Sequence, residues 1–212
     1  MPSHVPPEEI LADYASGATS PGVALLVASH LTHAPDSRAR VREFEEVGGV
    51  LLADEASAEM SADALQKAMA LLDEAPQDTA QPADHGTGPL PRPLLDRLGM
   101  GVDDLPWRFQ LPGVSAHELD GFEGEKVMLL RAKPGAKVPQ HTHEGAEMTL
   151  VLQGALSDGG IVYETGDVAI NDEHDDHRPE VVGDELCYCL IVQQGDLRFT
   201  GTFSRFLNYL GE

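Results

Sequence analysis

Apolar positions in roughly the first 75 residues recur every three or four residues, which is the spacing of amphipathic helices. Prolines and glycines occur where such helices would begin and end. The predicted helices start near Pro6 and stop at Gly17, and then cover 21–33, 37–54 and the segment from Ser61 onward. We expect a small bundle of about four helices. Its apolar stripes comprise Ile10, Leu11, Tyr14, Val41, Phe44, Val47, Leu51, Leu65, Met69 and Leu72.

The rhythm of the chain changes after residue 75. Residues 76–93 are rich in proline and glycine, a composition typical of a linker between domains. From residue 94 onward, short apolar runs alternate with Gly, Pro and Asp, as in the strands of a β-barrel. The clearest runs cover 126–132, 148–152, 168–171 and 186–193. The predicted fold is therefore α+β with two domains: a helical domain over 1–75, a linker over 76–93 and a β-domain over 94–212.

The charge of the chain narrows its choice of partners. It carries 36 acidic and 14 basic residues, a formal net charge of −22. Such a surface repels nucleic acid and anionic membranes and suits a basic protein partner. The N-terminus shows no signal-peptide pattern and no apolar run is long enough to span a bilayer, so we expect a cytoplasmic protein. Cys187 and Cys189 are too closely spaced for a relaxed disulfide and are expected to be buried.

The candidate chemistry lies in residues 135–154. His141 and His143 are separated by one residue, so on a strand both project to the same side and can bind one ion together. Glu147 follows a short turn later, where its carboxylate can join them. Gly135 and Gly154 bracket the segment. Imidazole and carboxylate ligands suit zinc, manganese, iron, nickel or cobalt.

This spacing resembles the first motif of the cupin family, Gly-x5-His-x-His-x3-Glu-x6-Gly, at every defined position. The resemblance implies an RmlC-like jelly-roll barrel that holds one divalent metal ion. The family's second motif implies one more histidine ligand downstream. His177, directly before a predicted strand, is favoured for that role, and His174 in the acidic loop is the alternative. The predicted metal ligands are thus His141, His143, Glu147 and His177. Zinc is the first candidate ion, and manganese, iron and nickel are alternatives.

The whole chain resembles the ChrR-like anti-sigma factors, which join an N-terminal helical anti-sigma domain to a C-terminal cupin domain. The resemblance rests on His4, on segments 11–17, 27–31, 39–40, 47–49, 104–108 and 147–154, and on Cys187-Tyr-Cys189. It implies that the helical domain binds a sigma factor of the extracytoplasmic-function class. It also implies that the cupin domain senses or relays oxidative stress of the singlet-oxygen type, without catalysis.

One departure from that family concerns zinc. Family members carry His-x3-Cys-x2-Cys with an upstream histidine, and here the cysteine positions hold Ala34 and Ser37, after His30. Since thiolates supply much of the zinc affinity of such sites, the N-terminal zinc site is predicted to be absent. A rescue by His33 and Asp36 is the alternative.

Two other functions remain open at this point. The first is a metal-dependent cupin enzyme, dioxygenase-like, acting on a small molecule. The second is a metal-bound cupin whose degenerate helical domain serves another protein contact. The sequence contains no nucleophile motif or phosphate-binding glycine loop that would name a reaction, so no catalytic residue is predicted. A homodimer formed through the cupin strands also stays open.

Overall fold

The computed structural model describes residues 1–74 and 88–201, and the side chains of residues 73 and 74 are not described. Helices within these ranges are α1 (Glu8–Ser16), α2 (Pro21–His30), α3 (Pro35–Ala53), α4 (Ala64–Glu74) and α5 (Arg92–Leu98). The strands are β1 (Arg108–Leu111), β2 (Val114–Leu119), β3 (Lys126–Ala132), β4 (His141–His143), β5 (Glu147–Gln153), β6 (Ala155–Asp158), β7 (Ile161–Glu164), β8 (Val168–Asn171), β9 (Glu180–Val182), β10 (Cys187–Gln193) and β11 (Leu197–Phe199). This order confirms the predicted α+β class.

Local signals set the ends of the first helices, as predicted. Gly17 ends α1 in the left-handed conformation, at φ 74°, which glycine adopts without steric cost. Pro21 begins α2, where its missing N–H leaves no helical hydrogen bond unmade. The second helix stops at His30 rather than at residue 33, and the third starts at Pro35. Leu11, Val27 and Val41, one from each helix, are buried together in a small core.

Helix α5 was not predicted, because its surroundings are dense in proline. Pro91 and Pro93 lie at its first turn, where proline is tolerated, and Gly99 ends it at φ 69°. Residues 76–87 of the predicted linker over 76–93 lie outside the described residues. Its described remainder contains Leu90, which is buried, and the start of α5.

The strands form antiparallel sheets. The largest has six strands in the order β1-β2-β3-β10-β5-β8, and a smaller one has three strands in the order β7-β6-β9. Strands β4 and β11 form a separate pair. The central strands β5 and β10 of the six-stranded sheet are buried on both faces. The inner face of this sheet packs against the smaller sheet through Val151, Cys187 and Cys189, and its outer face packs against α2 and α5.

The helical segment and the sheet share one core. Leu26 of α2 and Leu94 of α5 are fully buried with Leu129, Leu150 and Leu190 of the six-stranded sheet. Burial of each leucine stabilises the fold by about 1.5–3 kcal/mol.

Hydrogen bonds also join the start of α2 to the sheet, and the start of the chain to Asp167. The carboxylate of Glu125 accepts hydrogen bonds from the Gly22 N–H, at 2.9 Å, and from the Ser20 hydroxyl. It therefore caps the N-terminus of α2 from the sheet side, where negative charge is favourable. At the chain start, the backbone N–H groups of Ser3 and His4 donate to Oδ1 of Asp167 at 2.6 and 2.9 Å.

Within the described ranges, no single helix is long and apolar enough to cross a bilayer. Helices α1 and α2 together meet the length and composition criteria, but they meet at an angle of 110°.

Candidate metal centre

Strands β4 and β5 bring three of the predicted ligands to one place. His141 and His143 are both buried while Thr142 between them is half-buried, as the alternation of a strand requires. Strand β11 pairs with β4 and sets its position, with His143 opposite Leu197. Glu147 begins β5 and is 7 % exposed, and its Oε2 lies 3.6 Å from Nε2 of His143.

His177 reaches the same place from the segment before β9. Its backbone exchanges two hydrogen bonds with His141, each 3.0 Å long, which fixes the two residues side by side. Its Nε2 lies 3.0 Å from Nε2 of His141 and 3.0 Å from Nε2 of His143. His174 takes no part in this cluster, because its side chain is 84 % exposed.

Hydrogen bonds at the other ring nitrogens orient two of the imidazoles. The Nδ1–H of His141 donates to the Pro139 carbonyl at 2.8 Å, and the Nδ1–H of His177 donates to Oδ2 of Asp158 at 2.6 Å. In a neutral imidazole, the opposite Nε2 is then a bare lone pair. Two such lone pairs 3.0 Å apart repel each other unless a cation or a proton lies between them.

Burial shifts the ionisation of this cluster. Desolvation lowers the pKa of His141 to about 4 and that of His143 to about 4. Desolvation also raises the pKa of Glu147 to about 7. Burial acts to lower the pKa of His177 as well, but the hydrogen bond and charge of Asp158 outweigh it, and the net shift is upward. The two β4 imidazoles are thus neutral at physiological pH, which is the form that binds a metal.

The donor set fits a divalent ion. Ligand atoms of His141, His143 and His177 lie within 4.8 Å of one another, and all three residues are buried. Metal–nitrogen bonds of about 2.0–2.1 Å place neighbouring nitrogens roughly 2.8–3.4 Å apart, from octahedral to tetrahedral coordination angles. The observed 3.0 Å between Nε2 atoms agrees with that range. A single carboxylate beside three imidazoles suits a borderline transition-metal ion better than calcium or magnesium.

The residues at the N-terminal zinc positions of the ChrR-like pattern make a different set of contacts. Nε2 of His30 is hydrogen-bonded to the Ser37 hydroxyl at 2.9 Å, and its Nδ1–H donates to the Gly166 carbonyl at 2.8 Å. Nδ1 of His4 lies 3.5 Å from Asp167. In the part of the chain that the structure describes, three or more His, Cys, Asp or Glu side chains come close enough to share an ion at one place, the cluster of His141, His143 and His177. The absence of N-terminal zinc stays a prediction.

Sequence reasoning missed two carboxylates with structural roles, Asp158 and Asp167. Asp158 precedes Gly159-Gly160 and is indistinguishable in sequence from an ordinary turn residue. Asp167 follows Gly166 at the turn into β8, and its sequence context indicates only a turn. Both are buried, at 8 % and 2 % exposure, which no local pattern indicates.

Fold and cluster together define a cupin-type protein whose N-terminal helices pack on one face of its sheet. Residues 96–197 match the family described as the ChrR cupin-like domain. The anti-sigma-E factor ChrR of Cereibacter sphaeroides is 36% identical over 193 residues, which cover 91% of this chain and 90% of that protein. This chain belongs to the ChrR family of anti-sigma factors, and the resemblance stated from the motifs is confirmed.

A solved structure agrees over nearly the full length. The crystal structure of Rhodobacter sphaeroides SigE in complex with the anti-sigma ChrR matches with a TM-score of 0.77 and 32% identity. The match covers 90% of this chain and 98% of that chain. It therefore includes the helices as well as the cupin-like domain, and the predicted fold class is confirmed throughout.

Proposed function

We propose that this protein is an anti-sigma factor that acts in the cytoplasm. Its N-terminal helices bind a sigma factor of the extracytoplasmic-function class and keep it from core RNA polymerase. Its cupin domain holds one divalent metal ion and senses or relays oxidative stress. Membership of the ChrR family and the likeness to a ChrR chain solved with SigE support this proposal. The domain organisation proposed with it is 1–75, 76–93 and 94–212.

The observation that carries the proposal is the apolar surface of α3 and α4. The first half of α3 is packed at Val41, but every residue from 45 to 53 is exposed. These nine residues extend the helix by about 13 Å beyond its packed part. In α4, residues 65–72 are all exposed. The exposed apolar side chains on these helices are Val47, Val50, Leu51, Leu52, Leu65, Met69, Leu71 and Leu72.

Physical chemistry favours a protein partner for this surface. Helix α4 has 11 residues, and isolated helices of that length are marginal in water. A helix with exposed leucines gains stability when another protein covers them. The net charge of −22 steers association toward basic partner surfaces.

The proposed ligands of the metal ion are His141, His143, Glu147 and His177. When bound, the ion supplies Lewis acidity and an anchoring charge in a buried site. The chain supplies the orientation: β4 places two imidazoles on one side, and the backbone pair between His141 and His177 adds the third. Zinc is the proposed ion, with manganese, iron and nickel as the other candidates.

Sigma binding is tested by titration calorimetry with purified sigma factors of the extracytoplasmic-function class from the same organism. Leu72→Asp on α4 places a charge on the exposed apolar surface, and Phe109→Asp on β1 makes the same change at a site that is 74% exposed. Loss of one buried leucine contact weakens binding by about 10- to 150-fold. We expect that loss for Leu72→Asp and unchanged affinity for Phe109→Asp. No complex with the parent chain, or equal effects of both variants, would contradict the proposal.

The metal site is tested by plasma mass spectrometry on the purified chain and on His141→Ala. One ion per chain that is lost in the variant supports a single site in the cupin domain. Two ions per chain, with one surviving the substitution, would show that the N-terminal histidines form a second site and that its predicted absence is wrong. A parent chain without stoichiometric metal would overturn the metal proposal.

A further inference from the structure

The three histidines of the cluster differ in the hydrogen-bond partner of Nδ1, the ring nitrogen that faces away from the other two imidazoles. Nδ1 of His141 meets a backbone carbonyl, and Nδ1 of His143 is buried without a hydrogen-bond partner among the described residues. Nδ1 of His177 meets a carboxylate, that of Asp158, at 2.6 Å. Among the described side chains, His177 is therefore the one imidazole of the three whose Nδ1 meets a carboxylate.

The position of His177 explains why it needs such a partner. His141 and His143 lie on one strand, so the strand's pleat already sets their directions. His177 lies in a segment before β9, and its backbone is tied to β4 by the pair with His141. A backbone pair fixes the Cα position but leaves the side-chain torsions free. The bond from Asp158 supplies the missing constraint on the ring.

Charge balance points to the same residue. A divalent ion with three neutral imidazoles and the carboxylate of Glu147 carries one net positive charge. Asp158 is 8 % exposed and contacts His177, one of the proposed ligands. Its negative charge therefore brings the buried site to neutrality. An uncompensated charge at such depth is costly. The Oδ1 atom of Asp158 has no hydrogen-bond partner among the described residues, so the Nδ1–H of His177 is the hydrogen-bond donor that this carboxylate serves.

We propose that Asp158 is a positioning residue for the metal centre: it holds the ring of His177 so that Nε2 faces the ion, and it balances the charge of the buried site. This inference rests on the proposed metal site. Partners of this type behind a metal-bound histidine raise metal affinity by about 10- to 100-fold. Asp158 connects the site to the β6–β7 turn, since it ends β6 directly before Gly159-Gly160.

The test is a cobalt and zinc titration of the metal-stripped full chain against a coloured chelator. Asp158→Ala removes both the hydrogen bond and the charge, whereas Asp158→Asn keeps the shape and an acceptor oxygen. Asp184→Asn is the control, because it removes one acidic charge at an exposed site between β9 and β10. We expect a loss of about 10- to 100-fold in affinity for Asp158→Ala. A smaller loss is expected for Asp158→Asn, and a change below about twofold for Asp184→Asn.

A second readout separates positioning from a general effect on folding. In the zinc-loaded parent, the Nδ1 proton of His177 should give a slowly exchanging, downfield NMR resonance, because a carboxylate 2.6 Å away accepts it. The resonance should move upfield in Asp158→Asn and disappear in Asp158→Ala. Parent-like affinity and resonance in Asp158→Ala would overturn this inference alone. A parent chain that binds neither ion would overturn the metal site and this inference with it.

Discussion

The attachment of α2 to the sheet depends on the absence of a side chain at Gly22. A Cβ atom there would lie 2.6 Å from Oε2 of Glu125, 2.8 Å from Cγ2 of Val127 and 3.1 Å from Cγ1 of Val192. The first two distances are shorter than non-bonded atoms tolerate, so either the side chains of Glu125 and Val127 or the helix itself would have to shift. Gly22→Ala is therefore expected to loosen the helix from the outer face of the sheet.

The change in the free energy of unfolding for Gly22→Ala combines one stabilising and two destabilising contributions. Replacement of glycine by alanine within a helix stabilises it by up to about 1 kcal/mol. Overpacking of a close contact costs about 1–3 kcal/mol. Separation also weakens the hydrogen bond from the Gly22 N–H to the Glu125 carboxylate, a charged type worth about 1.5–3 kcal/mol. Together these give an expected net loss of about 1.5–6 kcal/mol in the free energy of unfolding.

Gly48→Ala provides the control. Gly48 lies in α3, and no atom lies within 4 Å of a Cβ built there, so helix propensity acts alone. That variant should gain about 0.5–1 kcal/mol. Urea unfolding followed by circular dichroism, at equal metal loading, measures both differences. If Gly22→Ala proves as stable as Gly48→Ala, the close approach of α2 to the sheet does not hold this junction together.

Further predictions concern the junction and the metal. Asp167→Asn should lower the free energy of unfolding by about 1–3 kcal/mol, because the carboxylate accepts hydrogen bonds from the backbone N–H groups of Ser3 and His4. Hydrogen exchange at these two amides should accelerate, and unchanged exchange would contradict the contact. Burial lowers the pKa of His30 from 6.5, so the unfolded chain binds more protons below that pH and stability falls as the medium is acidified. His30→Gln should lower stability at pH 7 and flatten this decline, whereas parallel pH curves would refute the assignment. Chelation should lower the melting temperature of the parent and leave that of His141→Ala unchanged, because a bound ion stabilises the folded state alone.

Local features of the sequence determined much of the secondary structure. Gly17 and Pro21 set the bounds of α1 and α2 because backbone freedom is a property of the single residue. Strands β3 and β8 match the predicted runs residue for residue, since each is a short apolar run bounded by turn residues. The placement of His141 and His143 on one side of β4 followed from the two-residue period of a strand.

Tertiary structure decided what depends on residues far apart in the chain. It brings His177 rather than His174 to the cluster, through a backbone pair with His141 across 36 residues. It buries Asp158 behind that ring, and it links His30 to Gly166 across 136 residues. No local pattern encodes these contacts, because the hydrogen-bonding partner of a buried polar group is set by which strands and loops meet in space. The sequence by itself determined the first helices, the clearest strands and the ligand motif, and packing decided which distant side chains complete the site.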